Sequence, residues 1–269
     1  MLQLAKHEKR QQKKSKVPAI LLVLFLFCLA GLCLAGAYLV YSQQVDLPFL
    51  TPQATLSVPE GPSASSATRP QSTGTLQDFI DETIFVGDSR TNGLAKYGFV
   101  DSDRVYAIDG ANHSTARTER FIQLKKGGKL LTIADAVGTV KPKYLMVSFG
   151  INGVAFMEED TFFSEYALFL DELKAKTPDS VLIVQSILPV SAAYQQREPR
   201  MTNDKIKRYN RKLAQLAEQK GGLYFDTFTL FKDGKGNLSS TYDSGDGLHF
   251  NSRAYQAWLD NLDTYRKTI

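Results

Sequence analysis

The sequence predicts an α/β domain built on a mostly parallel sheet with helices on both faces, carried behind one N-terminal membrane-spanning helix. Three observations predict this. From Leu76 onward, short β-rich runs alternate with stretches whose apolar residues recur three and four apart. Five such runs occur, so about five parallel strands are expected. Before them, residues 17 to 41 form a single uncharged apolar run. The chain has 269 residues, 43% of them hydrophobic, which is enough for one good core.

The N-terminal segments come first. Residues 1–16 hold Lys6, Lys9, Arg10, Lys13, Lys14 and Lys16 against Glu8 alone. They account for more than the whole formal net charge of +4, so the remainder is close to neutral. A domain with no broad cationic surface is a poor ligand for nucleic acid, and that class of partner is excluded. The apolar run at 17–41 exceeds the roughly 20 residues a helix needs to cross the hydrocarbon. The basic cluster before it should stay cytoplasmic and place the rest of the chain outside the cell, as a single-pass membrane protein. Tyr38 and Tyr41 suit the far interface. The competing reading is a cleaved signal peptide, because Ala35-Gly36-Ala37 has the small-x-small form of a processing site. A retained anchor is preferred, since the run is longer than the about 7 to 15 apolar residues of an ordinary signal. Both cysteines, Cys28 and Cys33, lie in this run, so the outer domain has no disulfide and no cysteine-based metal site. Residues 42–75, rich in Pro, Ser, Thr and Gln, read as a flexible tether.

The domain itself is expected over 76–269. Its strands are placed at 83–86, 104–108, 144–149, 180–185 and 223–225. The helices between them are placed at 131–140, 161–176 and 203–220, with a last one from 252 to about 265. In the second, Phe162, Tyr166, Phe169, Leu170 and Leu173 share a stripe; in the last, Tyr255, Trp258, Leu259 and Leu262 do. These aromatics, with Phe163, are read as core rather than as a sugar-stacking platform. Pro142 and Pro178 punctuate two of the ends. The simplest assembly is a three-layer α/β/α sandwich of flavodoxin-like topology, with its site at the carboxyl ends of the strands. The polar segment 189–200 follows a strand and lacks helical periodicity, and reads either as a rim or lid over substrate or as an ordinary surface loop.

Four of the connections after strands carry residues suited to acyl transfer. Gly87-Asp88-Ser89 ends the first strand, so the Ser89 hydroxyl is exposed where a helix begins and its backbone N–H can stabilise an oxyanion. Asp246-Gly247-Leu248-His249 precedes the last helix, and an Asp three residues before a His can orient the ring while the other ring nitrogen acts as base. Only three histidines exist in the chain, and His7 lies in the basic tail. A histidine base in the outer domain must therefore be His113 or His249. His113 lacks an acidic neighbour at comparable spacing and is assigned to the rim of the site. Gly110, after the second strand, and Asn152, after the third, supply the remaining oxyanion donors: a backbone N–H and a side-chain amide.

Taken together, these pieces resemble the SGNH or GDSL-type hydrolase superfamily, in its membrane-anchored bacterial form. Gly87-Asp88-Ser89, Gly110, Gly150-Ile151-Asn152 and Asp246-Gly247-Leu248-His249 match its four blocks, in order, over most of the outer domain. The resemblance implies an SGNH hydrolase fold, a catalytic Ser89, His249 and Asp246, an oxyanion hole of Ser89, Gly110 and Asn152, no cofactor and no metal, and acetyl or short-acyl ester substrates. Two departures stand out. Gly153 occupies the position where the third block usually has Asp. Arg90 replaces the hydrophobic residue common after the serine, which makes Arg90, like His113, a candidate substrate contact.

A serine ester hydrolase working through an acyl-enzyme is thus the expected function, with an O-acetylated envelope glycan as leading substrate on grounds of location. Two alternatives remain open: an O-acyltransferase using the same triad, and an inactive glycan-binding or scaffold module.

Overall fold

The computed structural model describes residues 74–269; the expected basic tail, membrane span and tether lie outside the described residues, apart from the last two residues of the tether. No helix among the described residues is long and apolar enough to cross a membrane.

Strands β1 (Thr83–Gly87), β2 (Val105–Ala107), β3 (Tyr144–Ser148), β4 (Val181–Gln185) and β5 (Leu223–Phe225) make one sheet in the order β2-β1-β3-β4-β5. Every pairing is parallel. The register sets Phe85 beside Val105 on one side and Met146 on the other. Among the described residues, ten α-helices connect or flank the strands: α1 (Leu76–Asp81), α2 (Ser89–Lys96), α3 (His113–Thr118), α4 (Ile133–Val140), α5 (Ile151–Val154), α6 (Glu159–Lys176), α7 (Ala192–Arg197), α8 (Asn203–Gln219), α9 (Phe228–Phe231) and α10 (Ser252–Arg266).

Because side chains alternate across a strand, each strand feeds two cores. Ile84, Val86, Leu145, Val147, Leu182 and Val184 face one of them, with the stripes of α6 and α8. Phe85, Tyr144, Met146 and Ile183 face the other, closed by helix α10 through Tyr255, Trp258, Leu259 and Leu262. Both faces being covered explains why these strands read as continuous apolar runs. The expected core aromatics lie where expected: Phe162, Phe169, Tyr255 and Trp258 are buried, and Phe163 packs half-buried against the first of the two cores.

The strand order reverses between β1 and β3, since the chain moves from β1 outward to β2 and then returns to the other side of β1. Such a switch point opens a crevice at the carboxyl ends of the two strands. Short helices α1, α3, α5, α7 and α9 are additions to the expected pattern. Segment 189–200 in particular contains α7, started by Ser191, whose hydroxyl accepts the Tyr194 N–H at 3.1 Å. Six residues are too few to show a helical period.

Candidate active site

Ser89 is the first residue of α2, immediately after β1. Asp88 caps that helix, its carboxylate accepting the Arg90 N–H at 3.0 Å, which leaves the Ser89 N–H among the free donors of the first turn. Gly87 permits the close passage: a Cβ there would sit 2.0 Å from Thr91 Oγ1 and 2.6 Å from the Ser148 carbonyl oxygen. Asp88 is itself buried, and burial raises its carboxyl to about 6 against the opposing pull of Arg90.

The loop before α10 carries the other half of the site. Asp243 Oδ1 accepts the N–H groups of Gly245 and Gly247 at 2.8 and 2.9 Å. Asp246 Oδ1 then accepts those of Leu248 and His249 at 2.8 and 2.7 Å, which aims Oδ2 at the ring. Gly247 adopts a left-handed φ of 79°, and a Cβ there would lie 2.1 Å from Ser191 Oγ, so this turn takes only glycine. The loop ends at Asn251, which caps α10 by accepting the Ala254 N–H.

The two halves meet. His249 Nε2 lies 3.0 Å from Ser89 Oγ, across 160 residues of sequence. On the far side of the ring, Nδ1 lies 2.6 Å from Asp246 Oδ2. Although burial works against its charge, the hydrogen bonds from the His249 ring and the two backbone N–H groups hold the Asp246 carboxyl down at about 2. It is therefore an anion across the neutral range, bound to the ring nitrogen that must carry the proton, and Nε2 is left as an acceptor facing the hydroxyl.

The residues that follow the second and third strands are tied to each other. Asn152, on α5 just past β3, donates from Nδ2 to the Ala111 carbonyl at 2.9 Å, so its amide is tied to the Gly110–Ala111 turn with a second N–H to spare. That turn is fixed from the other side: Asn92 and Lys96 of α2 both reach Asp109 at 2.7 Å. Gly110 has a φ of 78°.

Two assignments are corrected. Arg90 is not a substrate contact; it is 4% exposed. Its guanidinium donates to the carbonyls of Leu248, Leu188 and Pro189 at 2.9, 3.0 and 3.2 Å and lies over the Phe250 ring. It thus fastens the serine helix to the histidine loop. His113 is not at the rim but wholly buried, its Nε2 bonded to the Phe162 carbonyl at 2.9 Å and its ring packed on Phe162 and Tyr166. Burial lowers its pKa to about 4, so it is neutral. The partners of both residues are a core and a set of carbonyls, which no local motif announces.

Among the described residues no cluster of His, Cys, Asp or Glu is arranged to hold a metal ion. Sequence reasoning overlooked Phe156, the most exposed large hydrophobic residue among the described residues at 66%, four residues beyond Asn152. Its exposure, not its type, singles it out.

Fold and site define the class: an SGNH-type α/β hydrolase with its hydroxyl, imidazole and carboxylate in line at the carboxyl ends of the strands. The chain belongs to the GDSL-like Lipase/Acylhydrolase family, whose model matches residues 85–257, and is accordingly a carboxylic ester hydrolase. Solved structures share the fold. A GDSL-like lipase from Bacteroides thetaiotaomicron superposes with a TM-score of 0.54 at 16% identity, covering 70% of this chain and 89% of its own. A candidate acylhydrolase from Bacteroides fragilis gives 0.54 at 18% identity, covering 69% and 86%. A protein from Streptococcus pneumonia, solved as a candidate platelet activating factor, gives 0.54 at 20% identity, covering 71% and 90%. Comparison with curated protein sequences gives no match.

Proposed function

We propose that the chain hydrolyses acetyl or other short-acyl esters on carbohydrate outside the cell, through an acyl-enzyme on Ser89. The observation that carries the reading is the continuous line from Asp246 Oδ2 to His249 Nδ1 at 2.6 Å and from His249 Nε2 to Ser89 Oγ at 3.0 Å. Ser89 Oγ attacks the ester carbonyl as His249 takes its proton. Asp246 stabilises the imidazolium that results. The N–H groups of Ser89 and Gly110 and the Asn152 amide receive the developing oxyanion. His249 then returns the proton to the departing alcohol, and a water activated by the same ring releases the acid. Cell-envelope esters as substrate, with anchoring through residues 17–41, rest on the apolar run, the basic cluster before it and the tether after it.

Labelling with a serine-reactive fluorophosphonate tests the centre directly. The wild-type chain should label and cleave small acetyl esters, and Ser89→Ala should do neither, with a loss of about 10⁴-fold or more. Equal hydrolysis by the two would remove the mechanism. Analysis of products with a glycan acceptor present separates hydrolysis from acyl transfer.

A further inference from the structure

A groove of about 600 Å³ opens between the start of α6 and the segment leading into α8, lined by Phe156, Met157, Glu158, Arg200, Lys205 and Tyr209 among others. We propose that it is a sugar-binding subsite for the alcohol half of the ester; this rests on the esterase reading above and extends it.

Both walls of the groove continue, along the chain, segments that hold the site. One follows Asn152 directly: α5 runs to Val154, and Phe156 comes two residues later. The other is the segment after β4, whose Arg197 donates to the Asp246 carbonyl at 2.5 Å and whose Arg200 lies three residues further on. A Lys205 ammonium bonded to the Val154 carbonyl joins the two walls at their base. Since His249 must protonate the leaving oxygen, the alcohol lies on the histidine side of the scissile bond, and the segment that touches the histidine loop through Arg197 runs on into this second wall.

The lining suits a pyranose. Phe156 presents an apolar ring to solvent, with the Arg200 guanidinium 4.6 Å from its centroid. Glu198 holds that guanidinium in place through Nε–Oε1 and Nη2–Oε2 contacts of 2.8 and 3.0 Å. Two of its five N–H groups are spent there, leaving three for ligand oxygens. Glu158 and Thr202 add acceptors at the rim. An exposed ring for the C–H face of a sugar lies beside pre-set donors and acceptors for its hydroxyls, the pairing of apolar surface with placed polar groups that a ligand site uses.

The test compares O-acetylated xylotetraose and chitotetraose with 4-nitrophenyl acetate, which has no sugar. Phe156→Ala should lower the ratio of kcat/KM for an oligosaccharide to that for the small ester about tenfold, through KM, and Phe156→Trp should restore it. Arg200→Ala should shift the ratio in the same direction. An unchanged ratio in both alanine variants overturns the subsite, as does a wild-type chain that cleaves the small ester but neither oligosaccharide. If the wild type cleaves neither kind of ester and fails to label at Ser89, the esterase reading falls and the subsite with it.

Discussion

Gly153 stands where the family resemblance leads one to expect an aspartate, and its surroundings explain the exchange. A Cβ at this position would lie 2.9 Å from two ring carbons of Phe162 and 3.1 Å from the Met157 sulfur. The space is already filled by Phe162, which packs in turn on His113 and Tyr209. Gly153→Ala should therefore cost about 1–3 kcal/mol by overpacking despite the better helix propensity of alanine, seen as a lowered urea midpoint. Gly153→Asp should cost more, because a carboxylate would enter an apolar site. An unchanged midpoint for the alanine variant would show that the Phe162 ring yields freely. At this scale the sequence was legible where chemistry and backbone demand coincide: Ser89, Asp246, His249, Gly110 and Asn152 all come to the carboxyl ends of the strands. It was not legible where a side chain answers to distant groups. Arg90 and His113 look like functional polar residues until their partners, three carbonyls and an aromatic cluster, are known.

Among elements, those that feed the two cores were readable. The five strands show as apolar runs because both faces of the sheet are covered, and the helices α6, α8 and α10 carry the period that burial of one face imposes. Helices of four to six residues carry no period, and their caps, such as Thr75 for α1 or Ser191 for α7, look like any polar loop residue. What joins the elements at the site is Arg90. From the first turn of α2 it grips the ends of two other segments, 188–189 after β4 and Leu248 beside His249. A lysine cannot reproduce this, since one ammonium on a flexible stem does not span three carbonyls held by a planar fork. Arg90→Lys should leave the Leu248 carbonyl and its neighbours short of donors and let His249 drift from Ser89. A displacement of about 1 Å is enough to lower kcat roughly a hundredfold, while KM for a small ester changes little. Melting temperature and fluorophosphonate labelling rate, measured together, check it: both should fall, and a full labelling rate with only a lowered melting temperature would confine Arg90 to stability.

Over the whole molecule, two buried groups with opposite charge habits pull stability in opposite directions between about pH 4 and 6.5. Asp88 is raised by burial from 3.8 to about 6, so across this interval the native state holds more protons than the unfolded chain and stability falls as pH rises. His113 is lowered by burial from 6.5 to about 4, so here the unfolded chain holds more protons and stability falls as pH drops. Each shift amounts to roughly 3 kcal/mol, and the two slopes oppose each other within one fold. Asp246, at about 2, stays charged in the native state throughout and adds slope only at the acid end, where its unfolded counterpart takes up a proton. The wild type should consequently show a pH dependence between those of the two single variants, which unmask each half. Asp88→Asn, which keeps a good helix cap, should gain stability as pH rises from about 4 to about 6.5; His113→Leu, whatever its constant packing cost, should lose it. Urea midpoints at the two ends of the interval read the slopes directly. Parallel slopes in the two variants would mean that Asp88 and His113 are not the groups that set them, and that neither is buried as deeply as its neighbours require.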